Sequence, residues 1–158
     1  MGKYVLVKSV NHDHSEIREI WCKANAYSLG FADAPEFLPI LYMQFKAKMC
    51  HYQKSFPTCN TYLIYDDNLL CGYILTSIEG CTFRIIDIEV LPQCQGKGIG
   101  SWVIDKAIAS AGEGISLVRL SVLKTNNAKA LYIKLGFTLK TEDDIYFHLQ
   151  KIITSRAL

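Results

Sequence analysis

No uncharged apolar run in this 158-residue chain reaches the ~20 residues that a bilayer span requires, so no membrane helix is expected. Basic clusters are missing as well. The 17 Lys and Arg stand against 15 Asp and Glu, a formal net charge of +2 spread without stripe or run, which leaves no electrostatic footprint for nucleic acid. Charged residues make up only 20% of the chain and hydrophobic ones 50%, a balance that excludes a disordered polymer and supports a core able to fold unaided. The chain has six cysteines (Cys22, Cys50, Cys59, Cys71, Cys81 and Cys94) but no C-x-x-C pair. Their irregular spacing within apolar segments reads as free buried thiols rather than disulfides or metal ligands, and no metal site is expected. Met1-Gly2-Lys3-Tyr4 leads into a strand-like segment instead of a signal peptide, and Leu6 stands where a myristoylation motif has Ser or Thr. A cytoplasmic location is the simplest expectation. With no repeat, linker or low-complexity tract, the length suits one domain spanning residues 1–158.

Proline is scarce too, and each of the four falls in or beside a boundary. Tyr4 to Val10 alternates as a strand. Asn11-His12-Asp13-His14-Ser15 then offers capping chemistry for a helix over about 13–27, with Ile17, Ile20, Trp21 and Ala24 on one face and Gly30 as a C-terminal stop. Pro35 opens a second helix over about 35–54, where Phe37, Leu38, Leu41, Tyr42, Phe45 and Met49 recur at three- and four-residue steps, and Pro39 falls in its first turn. Phe56-Pro57 breaks that pattern. A hairpin follows, 60–65 and 70–78 around Asp66-Asp67-Asn68, and Glu79-Gly80 turns into a strand ended by Pro92. A helix over 98–111, a strand over 115–123, a helix over 126–135 stopped by Gly136, and strands over 137–140 and 145–152 complete the order. The expected fold is α/β (α+β): a mixed, mostly antiparallel central sheet of about seven strands with about four helices on its faces.

The most informative stretch begins at Ile85, where a β-branched run to Val90 passes through Leu91-Pro92 into Gln95-Gly96-Lys97-Gly98-Ile99-Gly100 and then into the helical Ser101-Trp102-Val103-Ile104-Asp105. Strand, glycine loop and helix start together make an anion site. Free N–H groups and the helix dipole favour negative charge, and Lys97 would reinforce it. A P-loop would read G-x-x-x-x-G-K-[ST], but Lys97 precedes the second glycine. A dinucleotide fingerprint would read G-x-G-x-x-G, whereas this is G-x-G-x-G. The pattern that fits is Q-x-x-G-x-G. It resembles the acetyl-CoA pyrophosphate loop of the GCN5-related N-acetyltransferases, the GNAT superfamily.

A second stretch, Thr125-Asn126-Asn127-Ala128-Lys129-Ala130-Leu131-Tyr132-Ile133-Lys134-Leu135-Gly136-Phe137, reads as core packing on its own, with Ala128, Leu131, Tyr132 and Leu135 on one helix face. In its place after a strand, A-x-x-L-Y-x-x-L-G-F also resembles the second GNAT signature. The likeness covers roughly residues 60–150. It implies acetyl-CoA as cofactor, Ile88, Glu89 and Val90 along the pantetheine arm, and Gln95, Gly96, Lys97, Gly98, Ile99, Gly100 and Ser101 at the pyrophosphate. It also implies Tyr132 near the sulfur as general acid. Thr125 stands where many members have Asn, so Asn127 or Asn126 is expected to take that contact.

Acetyl transfer to an amine of pKa ~10.4 needs a proton acceptor, a stabilised oxyanion and a protonated leaving thiolate. Glu89, at the end of the central strand, is the first choice as base and Asp87 the second. The bland alternative has both carboxylates solvated or paired with Arg84 or Arg119. A backbone N–H near Val90 could serve the oxyanion. The acceptor is expected to be a small-molecule or peptide amine, lined by some of Tyr27, Phe31, Phe37, Tyr42, Tyr146 and His148 and attracted by Asp33, Glu36 or Glu79. The lining candidates are more readily explained by core or surface packing, and His12, His14 and His51 read as ordinary surface or capping residues. Exposed strands near the C-terminus allow a homodimer. A non-catalytic module that binds or senses acyl-CoA is the rival reading, and it has no use for a phenol at the sulfur.

Overall fold

The computed structural model describes residues 3–10 and 14–154. Seven strands, β1 (Tyr4–Lys8), β2 (Asn60–Asp66), β3 (Leu69–Glu79), β4 (Thr82–Val90), β5 (Leu117–Leu123), β6 (Thr138–Glu142) and β7 (Tyr146–Ile152), form one sheet in the order β1-β2-β3-β4-β5-β7-β6. All neighbours are antiparallel except β4 and β5. Four helices join them: α1 (Ser15–Ser28), α2 (Leu38–Ser55), α3 (Ile99–Ser110) and α4 (Lys129–Lys134). The expected mixed sheet with four helices is therefore present. Among the described residues no helix is long and apolar enough to cross a membrane.

Local chemistry sets the element ends. Gly30 (φ 79°) and Gly136 (φ 96°) both stop helices in the left-handed region. After α1 the Phe31 N–H donates to the Ala26 carbonyl at 2.7 Å, and after α4 the Phe137 N–H donates to the Tyr132 carbonyl at 3.0 Å. Each bond closes the helix end and folds an aromatic back onto it, as a Schellman stop does. The second helix differs from expectation: residues Pro35–Phe37 form a tighter 3₁₀ turn and α2 starts at Leu38. α4 is also shorter than expected, because the Asn126 side chain accepts the Ala128 N–H at 2.8 Å and holds that segment in a turn. At the start of α1, His14 takes φ 57° without a side-chain cap, and the capping candidates Asn11, His12 and Asp13 lie outside the described residues. All six cysteines are free thiols.

Two irregularities in the sheet create the site. First, β3 and β4 slip register: Leu75 faces Asp87, the next residue Thr76 faces Ile85, and Ile86 is extra. Up to Ile85 the strand alternates Arg84 against the buried Phe83 and Ile85. The extra residue reverses that parity, so Asp87 and Glu89 emerge on the face of Arg84, beneath α1 and α2, instead of in the apolar layer. Second, β4 and β5 pair only over Thr82–Ile85 and Leu117–Leu120, although β4 continues to Val90 and β5 to Leu123. Past that point the strands have no ladder between them and a split opens in the sheet.

Candidate functional site

The edge of β4 that borders the split is set by strand alternation. The Leu91 N–H donates to Cys71 of β3 at 2.7 Å, so the Glu89 backbone also points to β3 and the amides of Ile88 and Val90 point the other way. Those N–H groups face the gap where β5 has departed. Close approach of β3 keeps them there. A Cβ on Gly72 would lie 2.2 Å from the Glu89 carbonyl oxygen, so only glycine lets the strands meet at this point.

Beyond Val90 the glycine loop turns into α3. Gly96 (φ 78°) and Gly98 (φ 80°) are both left-handed. Gly98 caps α3, and the first helical bond runs from the Trp102 N–H to the Gly98 carbonyl at 3.1 Å. The amides before Trp102 therefore lack helical acceptors, and no acidic side chain occupies the first turn. Gly96, Gly98, Ile99, Gly100 and Ser101 line a cavity of about 430 Å³ with Ile88, Val90, Leu131 and Tyr132. Gln95 lines it too, but its side chain donates to the Val90 carbonyl at 2.9 Å and so braces the loop. Lys97 departs from expectation: it does not line the cavity, and its carbonyl accepts from the Tyr4 hydroxyl at a long 3.5 Å. Asn126, not Asn127, is on the wall. The arrangement fits a long anionic thioester: fixed amides for a diphosphate at one end and a bare strand edge for amide groups along the split.

A second cavity of about 430 Å³ lies under α1 and α2 and shares Ile88, Glu89, Asn126 and Tyr132 with the first. Glu89 and Tyr132 thus stand where the two meet. Burial, reinforced by Asp87 and opposed by Lys48, pushes the Glu89 carboxyl up to about 7. Burial also pushes the Tyr132 phenol up to about 12, with Asp87 and Glu89 adding to it. Asp87 is otherwise engaged: the Tyr73 hydroxyl donates to its Oδ2 at 2.8 Å and Lys48 Nζ lies 2.9 Å from the same atom. Its partner is therefore Lys48, and neither Arg84 nor Arg119 pairs with either carboxylate.

The expected acceptor-lining residues divide. Tyr146 lines the Glu89 cavity, and His148 lines an adjoining one of about 250 Å³. The Ser121 Oγ lies 2.7 Å from His148 Nδ1, and His148 Nε2 lies 2.9 Å from Asp143 Oδ2, a chain that crosses from β5 to the β6–β7 turn. Tyr27, Phe31 and Phe37 line a different cavity of about 540 Å³ between α1, the 3₁₀ turn and Pro92. Tyr42 donates at 3.0 Å to Oε1 of Glu19, a residue on the wall of that same 540 Å³ cavity, and does not line the Glu89 cavity. Asp33 and Glu36 are exposed, while Glu79 lines a small hollow with Thr82, Arg84 and Arg119. Sequence reading missed Trp21, Lys48, His51, Tyr52 and Ser121, all on the Glu89 cavity wall. Lys48 did carry a signal: it lies on the Leu41, Phe45 and Tyr52 side of α2, a cation in an otherwise apolar stripe. Its ammonium is 5.0 Å from the Trp21 ring centre and 5.8 Å from that of Tyr52.

Residues 57–139 match the family model of the acetyltransferase (GNAT) domain, a span that contains β4, the glycine loop and α4. Among solved structures, the PaiA N-acetyltransferase of Thermoplasma acidophilum in complex with coenzyme A is 17% identical, covers 95% of this chain and 99% of its own, and superposes with a TM-score of 0.71. A RimL ribosomal L7/L12 alpha-N-protein acetyltransferase, also in complex with coenzyme A, is 17% identical over 97% of this chain and 96% of its own, at 0.67. Both are likenesses of fold. A nourseothricin acetyltransferase reaches 28% identity over 61% of this chain and 66% of its own, at 0.53. No curated protein sequence matches the chain.

Proposed function

This chain belongs to the GNAT acetyltransferase family, and we propose that it moves the acetyl group of acetyl-CoA across the β4–β5 split to a primary amine bound beside Glu89. Acetyl-CoA supplies an activated thioester carbonyl as the electrophile. The amides of Ile99, Gly100 and Ser101 at the start of α3 would hold the diphosphate, and that of Ile88 would fix the pantetheine arm. The Val90 N–H then serves the carbonyl oxygen, set in place by the strand before charge develops there.

Glu89 takes the amine proton, directly or through one water. A carboxyl held near 7 is partly ionised at neutral pH and accepts a proton with little penalty. Tyr132 gives its proton to the departing thiolate, whose conjugate acid has a pKa of ~8.5. A phenol pushed up to about 12 is a weak donor for that task, but the two steps help each other. Once Glu89 is protonated, one of the carboxylate charges opposing phenol ionisation is gone. Asp87, tied to Tyr73 and Lys48, places a fixed negative charge beside this pair that favours the protonated form of both.

The observation that carries this reading is that Glu89 and Tyr132 line both cavities. It is tested by thiol release from acetyl-CoA with a panel of amines. We expect Tyr132→Phe to lower kcat about a hundredfold while the CoA dissociation constant moves only a few-fold. The opposite pattern makes the hydroxyl a binding group, and CoA binding without turnover on any amine favours the sensing module. The same reading takes the chain as one domain working in the cytoplasm on a small-molecule or peptide amine, without nucleic acid. The exposed edge strand β6 is a surface on which a homodimer could form.

A further inference from the structure

The polar face of the sheet does not stop at the amine cavity. Cross-strand register sets Arg84 of β4 beside Arg119 of β5, and Ser121 beside His148 of β7. With Asp87 and Glu89 returned to this face by the bulge, the sequence along the floor runs Glu89, Asp87, then Arg84 and Arg119. Like charges at paired positions on neighbouring strands are unfavourable. Arg84 and Arg119 nonetheless have no carboxylate within salt-bridge distance among the described residues. Glu79 shares the small hollow that both line, but it does not close on either. Burial first, then Arg119, pulls the Arg84 guanidinium below its usual range, and Glu79 works the other way.

The Arg119 Nε is buried with no hydrogen-bond partner. A buried, unmatched guanidinium N–H is costly, and a charged acceptor is the group that satisfies it best. Arg84 is steadied from the side, its guanidinium 5.4 Å from the centre of the Phe56 ring. It also lines the 250 Å³ cavity, which shares His51, Tyr52, Ile86, Ser121 and Tyr146 with the Glu89 cavity. One groove therefore runs from the proposed base to Arg84, which also borders the small hollow lined by Arg119.

We propose that the acceptor is an extended amine bearing a carboxylate or phosphate far from the reacting nitrogen, its anionic group held by Arg84 and Arg119 while its amine lies at Glu89. This rests on the acetyl-transfer reading above and narrows its substrate class. Five strand positions, one of them a bulge, separate Arg84 from Glu89, roughly 13–17 Å along β4. A free amino acid cannot span that, because its ammonium and carboxylate share one carbon. An extended peptide advances about 3.3–3.6 Å per residue, so an acidic side chain three to five residues beyond a free N-terminus reaches the arginines. Ser121, His148 and Tyr146 supply hydrogen-bonding groups between the two ends.

The test uses pentapeptide amides with free N-termini and small neutral residues, whose fourth residue is aspartate, phosphoserine or asparagine. Thiol release from acetyl-CoA gives kcat and KM, and calorimetry with CoA present gives binding. The aspartate or phosphoserine peptide should exceed the asparagine peptide at least about tenfold in kcat/KM, through KM. Preference for one of the two acids names the anion. Arg119→Gln and Arg84→Gln, each checked by melting temperature, should erase the preference, and Arg119→Glu should reverse it toward a lysine at the fourth position. Equal binding of all three peptides, or a preference that survives both glutamine variants, overturns the anionic subsite. Tighter binding of the acidic peptides with no turnover leaves the subsite standing and sinks the acetyl-transfer reading instead.

Discussion

The two sides of the β4–β5 split are built from different materials. The cofactor side uses backbone: glycines in the left-handed region, the first amides of α3, and a strand edge bared where β5 leaves β4. The acceptor side uses side chains from α1, α2, β4, β5 and β7, brought together by a bulge and by cross-strand register. A backbone site needs residues next to one another in the chain. A side-chain site needs only that the fold bring them into the same place.

Glu89 belongs to both halves, so its replacement gives the sharpest test of how they meet. Its carboxylate must be ionised to accept a proton, so activity should fall as pH drops through about 7 and level off above it. Glu89→Gln should cost about a hundredfold or more in kcat and should abolish that inflection. In its place a rise toward the acceptor amine's own pKa should appear, ~10.4 for an alkyl amine and ~7.7–8.0 for a peptide N-terminus. A pH–rate profile that keeps its inflection near 7 in the variant would move the base elsewhere on the acceptor wall.

Gly72 probes the seam itself. A Cβ there would meet the Glu89 carbonyl at 2.2 Å, a backbone atom that cannot swing aside. Gly72→Ala should therefore destabilise the chain by about 1–3 kcal/mol in denaturant unfolding. It should also push β4 toward the split and lower activity beyond what the stability loss explains. Full activity with normal stability would mean that β3 does not hold the Val90 amide in place.

Gly98 separates conformation from ligand contact on the cofactor side. A Cβ at Gly98 meets no protein atom within 4 Å, yet φ is 80°. Gly98→Val should thus cost about 1–2 kcal/mol of strain in the free protein. Any loss of CoA affinity beyond that reports the close approach of the diphosphate, and roughly tenfold is expected. Affinity unchanged by calorimetry would take the loop out of the site.

How much could be read from the chain follows the same division. Gln95 to Ser101 and Asn126 to Tyr132 are contiguous, and their glycines and helix starts carry local meaning, so these two stretches could be singled out from the chain alone. The exceptions are local as well: Lys97 is not on the cavity wall, and Asn126, held in an Asx turn, is on it where Asn127 is not. Seven strands and four helices followed from apolar periodicity and glycine stops. The acceptor wall did not, since Lys48, Tyr52 and Ser121 come onto one cavity wall only through tertiary packing. The bulge at Ile86 has no signature in its β-branched run. The pairing of Asp87 with Lys48, rather than with Arg84 or Arg119 as the bland alternative had it, comes from the same parity reversal. Tyr27, Phe31 and Phe37 were misplaced because the Schellman stop after α1 turns Phe31 onto Cys22, Ala26 and Leu41, away from the split.

The smallest expected effect concerns what the meeting of the two halves costs. Glu89 has its pKa raised from 4.5 to about 7 in the folded chain, with burial as the first cause. Below about pH 4.5 the group is neutral in both states and contributes nothing. Between there and 7 the folded state holds a proton that the unfolded state has released, so stability falls as pH rises through that window and stays reduced above it. Glutamine is neutral at every pH and escapes this penalty. Glu89→Gln should therefore unfold like the native chain at pH 4 but be about 1–2 kcal/mol more stable at pH 8, a modest figure because the carboxyl is partly reached by solvent. Chemical denaturation at the two pH values reads the difference directly. A variant that is less stable at pH 8 would mean that Glu89 is held by Lys48 as a structural ion pair, and the carboxyl would then be poorly placed to take a proton from any amine.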